Sequence, residues 1–384
     1  MLSLRSSSHP ACIPAALVLM VFASPAALPE DSKGASKYVV TNLVSDIAGT
    51  AAGTDVRLVN PWGLDRGPAG PWWVADNGTG LSTLYNGAGT TLGLVVTVPS
   101  ASTGTGVPTG IVFNGTPDFA VNPGQPAAFI FATEDGTISG WNSAAAPTTA
   151  VVKAKTTTGA IYKGLAIAQK GGANYLYAAN FHGGTVEVFD TNFNPVTLDV
   201  GSFVDPEMPE GFAPFNIANL DGKLYVAFAK QDADKEDEVA GKGLGYVTVF
   251  DPSGKLLMRL RHVPFLNAPW GLAMAPADFG KFSNLVLVGM FGSGKIAAFD
   301  PKDGAFKGLL RGDHGKPIAI DGLWGLRFGN GANAGATNLL FFTAGIQDEA
   351  HGLFGSIAAV KKNGGDHDDD GDDNDDDDGG NGHH

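Results

Sequence analysis

Hydrophobic residues in this chain come in short runs broken by Gly, Pro, Asn and Asp, and long stretches of Ala, Glu, Lys and Leu are hard to find. One triplet punctuates the runs: Trp-Gly-Leu appears in VNPWGLD (59–65), NAPWGLA (267–273) and DGLWGLR (321–327). With these as anchors the chain divides into six units. They are NPWGLD…WWVADNGTGLSTLY (60–85), PTGIVF…AAFIFATEDGTISGW (108–141), YKGLAIA…NYLYAANFHGGTVEVFD (162–190), APFNIANLDGKLYVAFA…GYVTVFD (213–251), APWGLAMA…NLVLVGMFGSGKIAAFD (268–300) and GLWGLRF…NLLFFTAGIQDEAHGLFGSIAAV (322–360). Each reads as an apolar strand, a turn, a strand of Val, Tyr, Phe and Ala, a Gly-rich loop and a β-branched third strand. Several add a turn such as DPSGK (251–255) or DPKDG (300–304) and a weaker fourth strand; Pro presets φ in such turns and Gly accepts positive φ. Four-stranded units at a period of about 40 to 60 residues predict an all-β fold, a six-bladed β-propeller over 37–361.

The anchor column holds Gly63, Gly110, Gly164, Gly271 and Gly325, and the fourth unit is read with Phe215 in place of Gly. The sixth unit stops near Val360 with no fourth strand, while KYVVTNLVS (37–45) precedes the first unit with no blade of its own. That segment is predicted to complete the last blade, joining the chain ends and removing an open sheet edge. Trp62, Trp270 and Trp324 each start an innermost strand, and the Gly that follows lets backbones crowd at the axis. Each Trp is expected to wedge between neighbouring blades; the sharper reading is an aromatic wall for a ligand.

Composition fits this picture, with 54 Gly, 23 Pro, 43% hydrophobic and 17% charged residues. The net charge of −14 is concentrated: residues 366–384 hold ten Asp and no Lys or Arg, leaving about −4 elsewhere. No basic footprint for nucleic acid appears, nor a polybasic membrane patch. Residues 1–27 read as a cleaved signal peptide, with Arg5 and His9, the apolar IPAALVLMVF (13–22) and the small residues ASPAA (23–27). The apolar part is too short to span a bilayer. The one cysteine, Cys12, precedes that stretch inside the segment expected to be removed, so no disulfide is expected in the mature chain. A secreted or periplasmic monomer follows as the expectation. Residues 362–384 read as a disordered Asp-rich tail. There Asp366, Asp368 and Asp370, and again Asp376 and Asp378, copy the first half of a calcium loop without its closing Glu, so weak cation binding is expected beside a solvating role.

LYVAFA (224–229), LYAANFHGGTVEVFD (176–190) and VADNGTG (74–80) resemble the NHL-repeat and gluconolactonase/senescence-marker group of six-bladed propellers. Over about 38–360 the phrases NPWGL, ATEDGTISGW, APWGLAMAP, DGLWGLRFGNG and AGIQDEAHGLFG more closely resemble a family of exported bacterial propellers. The resemblance implies the fold and export; it implies no activity. Asp321-Gly322-Leu323 resembles the Asp-Gly step at which the lactonases place a ligand and base, whereas Trp62 and Trp270 stand where those enzymes have Asn.

In a propeller the loops between second and third strands emerge on the same face as the blade-to-blade connections. That face is expected to collect Asn60, Trp62, Asn77, Asp135, Trp270, Trp324, Gln347 and Glu349 around a ligand, with Gln231 and Asp232 nearby. Asp76, Glu134 and Asn180 occupy matching columns of three consecutive blades, and three oxygen donors there suit Ca²⁺; beside Gly, they equally suit Asx turns that cap their own loops. His182, Asp321 and His351 are the candidate general bases. KQDADKEDEVAGKG (230–243) reads as a solvated loop, or a lid over the mouth. GMFGSGK (289–295) has phosphate-loop spacing, but Ile296 replaces the Ser/Thr and a strand follows where a helix should start. The expected function is a binding module for a small molecule, glycan or protein at the channel mouth. The alternatives are a calcium-dependent hydrolase, lactonase or lyase, and a mineral- or matrix-associated protein acting through the tail.

Overall fold

Turn chemistry and β-branched runs fold as their spacing predicts. The computed structural model describes residues 37–360, so the signal-peptide and tail readings lie outside the described residues. Blade 1 is Pro61–Arg66, Trp72–Asp76, Leu81–Tyr85 and Val96–Thr97. Blade 2 is Pro108–Phe113, Phe129–Thr133, Thr137–Trp141 and Val151–Lys155. Blade 4 runs Phe212–Leu220, Lys223–Lys230, Gly245–Phe250 and Leu256–Arg259; blade 5 runs Pro269–Met274, Val286–Met290, Ile296–Phe299 and Phe306–Leu309. Within each blade the strands are antiparallel neighbours, innermost first. The result is a six-bladed β-propeller.

The last blade closes as predicted. Leu323–Phe328, Leu339–Ile346 and His351–Val360 are completed by Lys37–Ser45, antiparallel to the third strand from Lys37 opposite Val360 to Ser45 opposite Leu353. Tyr38 anchors this closing strand. Its side chain is 1% exposed, its hydroxyl donates to the Phe279 carbonyl at 3.0 Å, and it accepts from the Phe282 N–H at 3.2 Å.

Blade 3 departs from the four-stranded expectation. Tyr162–Lys170, Ala173–Asn180 and Thr185–Phe189 form a three-stranded sheet. The chain returns along its edge at Pro195 and Val196, with Val196 N–H donating to the Val188 carbonyl at 2.8 Å. Pro195 has no N–H to extend the ladder. The main cores lie between blades; Ala166, Tyr177 and Val186 of blade 3, for example, pack with Ile217, Leu224 and Phe228 of blade 4. Among the described residues no helix is long and apolar enough to cross a membrane.

Candidate functional site

All six inner strands are irregular at the same place. Pairing with the second strand slips between Pro61 and Leu64, Pro108 and Ile111, Tyr162 and Gly164, Pro214 and Asn216, Pro269 and Gly271, and Leu323 and Leu326. A bulge re-aims the side chain it carries. The residues so placed include Trp62, Thr109, Lys163, Phe215, Trp270 and Trp324. Phe215 therefore belongs to the Trp column, and Asn216 takes the Gly column, which corrects the alignment read from the sequence.

The aromatic members meet one another at the axis. Trp62 stacks on Trp324 with centroids 3.6 Å apart and meets Trp270 edge-on at 6.0 Å; Phe291 stacks on Trp324 at 4.1 Å. Trp62, Trp270 and Trp324 are 3%, 4% and 0% exposed. They plug the channel as a buried floor, because the bulge turns them inward rather than between neighbouring blades. Beyond the plug, the inner strands line a well of about 200 Å³ that includes Leu64, Ile111, Leu165, Ile217, Leu272 and Leu326. This well extends toward the far strand ends, where Arg327 Nε pairs with Asp65 Oδ1 at 2.7 Å.

On the loop side of the plug the bulge column supplies one charge. Lys163 is 1% exposed, with its ammonium 5.1 Å from the Trp62 ring centre and 5.9 Å from that of Phe181. It bonds the Glu134 carboxylate and, at 2.9 Å, Asp237. Burial works to lower its pKa, but the two carboxylates outweigh that and raise it. Lys163 is thus held as an ammonium, and is no free amine nucleophile. The second Glu134 oxygen accepts from Asn77 Nδ2 at 2.9 Å; Asn60 Nδ2 donates to Asn77 Oδ1 at 3.2 Å and to Glu349 Oε2 at 2.7 Å. Asn60 Oδ1 in turn accepts from Trp324 Nε1 at 3.0 Å. One hydrogen-bonded belt therefore crosses blades 4, 3, 2, 1 and 6.

Backbone geometry aims the belt. Gln347, Asp348 and Glu349 adopt φ of 56°, 53° and 63° in succession, and Asn60 adopts 45°, a left-handed region that non-Gly residues occupy at a cost. The 231–244 loop, largely exposed, contacts the blades on either side of it. Gln231 Nε2 donates to the Phe181 carbonyl at 2.6 Å, and Gly241 N–H donates to Asn267 Oδ1 at 2.6 Å. This loop also brings Glu238, whose carboxyl burial pushes up to about 8 while Lys163 pulls it the other way. Burial likewise raises Glu349.

The proposed calcium donors are not brought together. Asp76 is fully buried inside blade 1; its Oδ2 accepts from Thr83 N–H at 3.0 Å and its Oδ1 has no partner. Successive strand residues face opposite ways, so Asp76 turns inward and Asn77 takes the mouth. Burial raises the Asp76 pKa well above the usual carboxylate range. Asn180 caps its own loop, accepting from Gly183 N–H at 2.9 Å and donating to Glu187 at 2.7 Å. Among the described residues no group of three or more His, Cys, Asp or Glu side chains is placed to hold a metal.

The remaining candidates scatter. Asp135 accepts from Ala101 N–H at 2.7 Å and from the Thr133 hydroxyl. Asp321 accepts from Gln347 N–H at 2.8 Å. His351 Nδ1 lies 2.7 Å from Asp46, whose other oxygen accepts from Gly352 N–H, so this histidine ties the closing strand to its neighbour. His182 is half-buried with Nδ1 unpartnered. The Gly-rich 289–295 segment leads into the strand Ile296–Phe299, so no helix N-terminus stands where a phosphate loop would need one. Sequence reading missed Lys163, Asp237 and Glu238. A legible signal existed for the first: YKGLA puts Lys where three sister units put Trp.

No family model matches the chain. Among solved structures it is similar to a glucose dehydrogenase, with a TM-score of 0.53, 13% identity and coverage of 84% of this chain and 100% of the other, a likeness of fold alone. Two proteins of Acanthamoeba polyphaga mimivirus are related in sequence. Uncharacterized protein R648 is 32% identical over 336 residues, covering 85% of this chain and 81% of the relative. Uncharacterized protein L690 is 32% identical over 337 residues, covering 85% and 87%. The bacterial origin expected from the sequence resemblance finds no support in these viral relatives. At that identity and coverage, the chain belongs to one propeller family with the mimivirus proteins R648 and L690.

Proposed function

We propose that the protein is an exported binding module that takes a small molecule or glycan on the loop face, where the polar belt crosses the aromatic plug. The observation that carries this reading is Lys163, a fully buried charge on an aromatic floor, central to a belt of amides and carboxylates from five blades. Stability alone gives little reason for it, because well-packed apolar residues commonly replace a buried ion pair without loss. Convergent polar groups beside apolar surface are the usual make-up of a ligand site. A hydrolase or lyase is the second reading. It is favoured by Glu238, a carboxyl near the mouth pushed up to about 8, the protonation state of a general acid.

The test is calorimetric titration with glucose, N-acetylglucosamine, cellobiose and glucuronate. The reading expects saturable binding of at least one, lost when Lys163→Met is combined with Glu134→Gln. Binding retained by that double variant would place the ligand elsewhere.

A further inference from the structure

The two carboxylates on Lys163 are held very differently. Glu134 is 23% exposed, and its second oxygen is fixed by Asn77. Asp237 is 74% exposed, and Lys163 is the one hydrogen-bond partner of its side chain among the described residues. Glu134 sits at a short strand-to-strand turn of blade 2, between Thr133 and Thr137. Asp237 closes the exposed turn that holds Asp234, Lys235 and Glu236; its carbonyl accepts from Asp232 N–H at 2.9 Å, and Glu238 beside it bridges Gln231. A buried ammonium thus has one carboxylate fixed on both oxygens and one whose side chain is open to solvent.

We propose that Asp237 stands in for a ligand, and that the site takes a hydroxylated carboxylic acid, such as an acidic sugar, whose carboxylate replaces that of Asp237 on Lys163 as the exposed Asp237 side chain turns out to solvent. This rests on the binding reading above and names its ligand class. Exchanging one carboxylate for another leaves the local charge unchanged, and the geometry already accommodates two carboxylates on this ammonium. A neutral ligand displacing Asp237 would strip Lys163 of an ionic partner in a buried site, which costs free energy. A cationic one would meet the ammonium itself. Glu238 and Glu349 both lie close enough to Lys163 to feel its charge, and burial biases both toward their neutral forms, which limits their repulsion of an incoming anion. Asn77, whose Nδ2 gives the belt one bond of the two it can donate, supplies an amide of the kind that recognises ligand hydroxyls.

If Asp237 competes with the ligand, removing it raises apparent affinity by the reciprocal of the fraction of molecules it had left unblocked. The experiment titrates glucuronate and glucose into the wild type and Asp237→Ala by calorimetry. The expected result is roughly tenfold tighter glucuronate binding by Asp237→Ala, with glucose affinity unchanged. Glucose bound by both proteins, and glucuronate bound no more tightly by Asp237→Ala, would overturn the carboxylate inference and leave the binding site standing. Absence of binding by either sugar to either protein would remove the site reading, and this inference with it.

Discussion

Asp76 and Lys163 are both fully buried ionisable side chains, and the fold treats them in opposite ways. Lys163 has two carboxylates, whereas Asp76 has one backbone N–H on one oxygen and nothing on the other. An acid whose pKa is raised on folding keeps its proton where the unfolded chain has lost it, so stability falls as pH rises from the unfolded value, about 4, through the folded one. Asp76→Asn escapes that loss. Its melting temperature is expected to exceed the wild type's at pH 8, with the gap shrinking toward pH 4; a gap independent of pH would contradict the buried-acid account. Lys163→Met leaves Glu134 partly buried without its cation and is expected to cost about 3 kcal/mol in urea unfolding, much of it recovered by adding Glu134→Gln. Equal stability of the single and double variants would show that the pair is not coupled.

The inner strand with its bulge is the element that builds the site. A Cβ on Gly63 would lie 2.6 Å from the Thr109 carbonyl oxygen, and one on Gly110 would lie 2.6 Å from Leu165 N, both backbone atoms of the next blade. Neither neighbour can give way without moving a strand. Gly63→Ala and Gly110→Ala are each expected to lose about 2 kcal/mol or more in urea unfolding, and changes within a few tenths would refute the close approach. Asn216 shows how the column tolerates an exception. Its amide donates to the Trp270 carbonyl at 2.7 Å, and the space its side chain uses exists because Gly164 carries no Cβ. Six units, their inner strands and the glycine spacing were legible from the sequence, since hydrophobic runs and turn residues encode them locally. Which side chain faces the axis was not. One extra residue at each bulge shifts the facing of the inner strand, so Phe215 fell in the wrong column, and strand alternation buries Asp76, read as a calcium donor, while leaving Asn77 at the mouth as expected.

At the scale of the whole molecule, closure joins what the chain keeps far apart. Lys37–Ser45 completes blade 6, and the belt from Asp237 to Glu349 runs across five blades. Removing residues 37–45 bares the edge of His351–Val360 and is expected to abolish a single cooperative thermal transition; an unchanged melt would show that the ring does not depend on its latch. The closing strand was visible in the sequence as a strand without a blade, while the belt was not, because its partners are set by contacts across hundreds of residues. The most direct test of the account is a crystal structure of the protein soaked with glucuronate and cellobiose. Sugar density on the loop face, touching Lys163, Glu134 or Asn77, is the predicted result. Sugar lodged instead in the well beside Asp65 and Arg327 would contradict it.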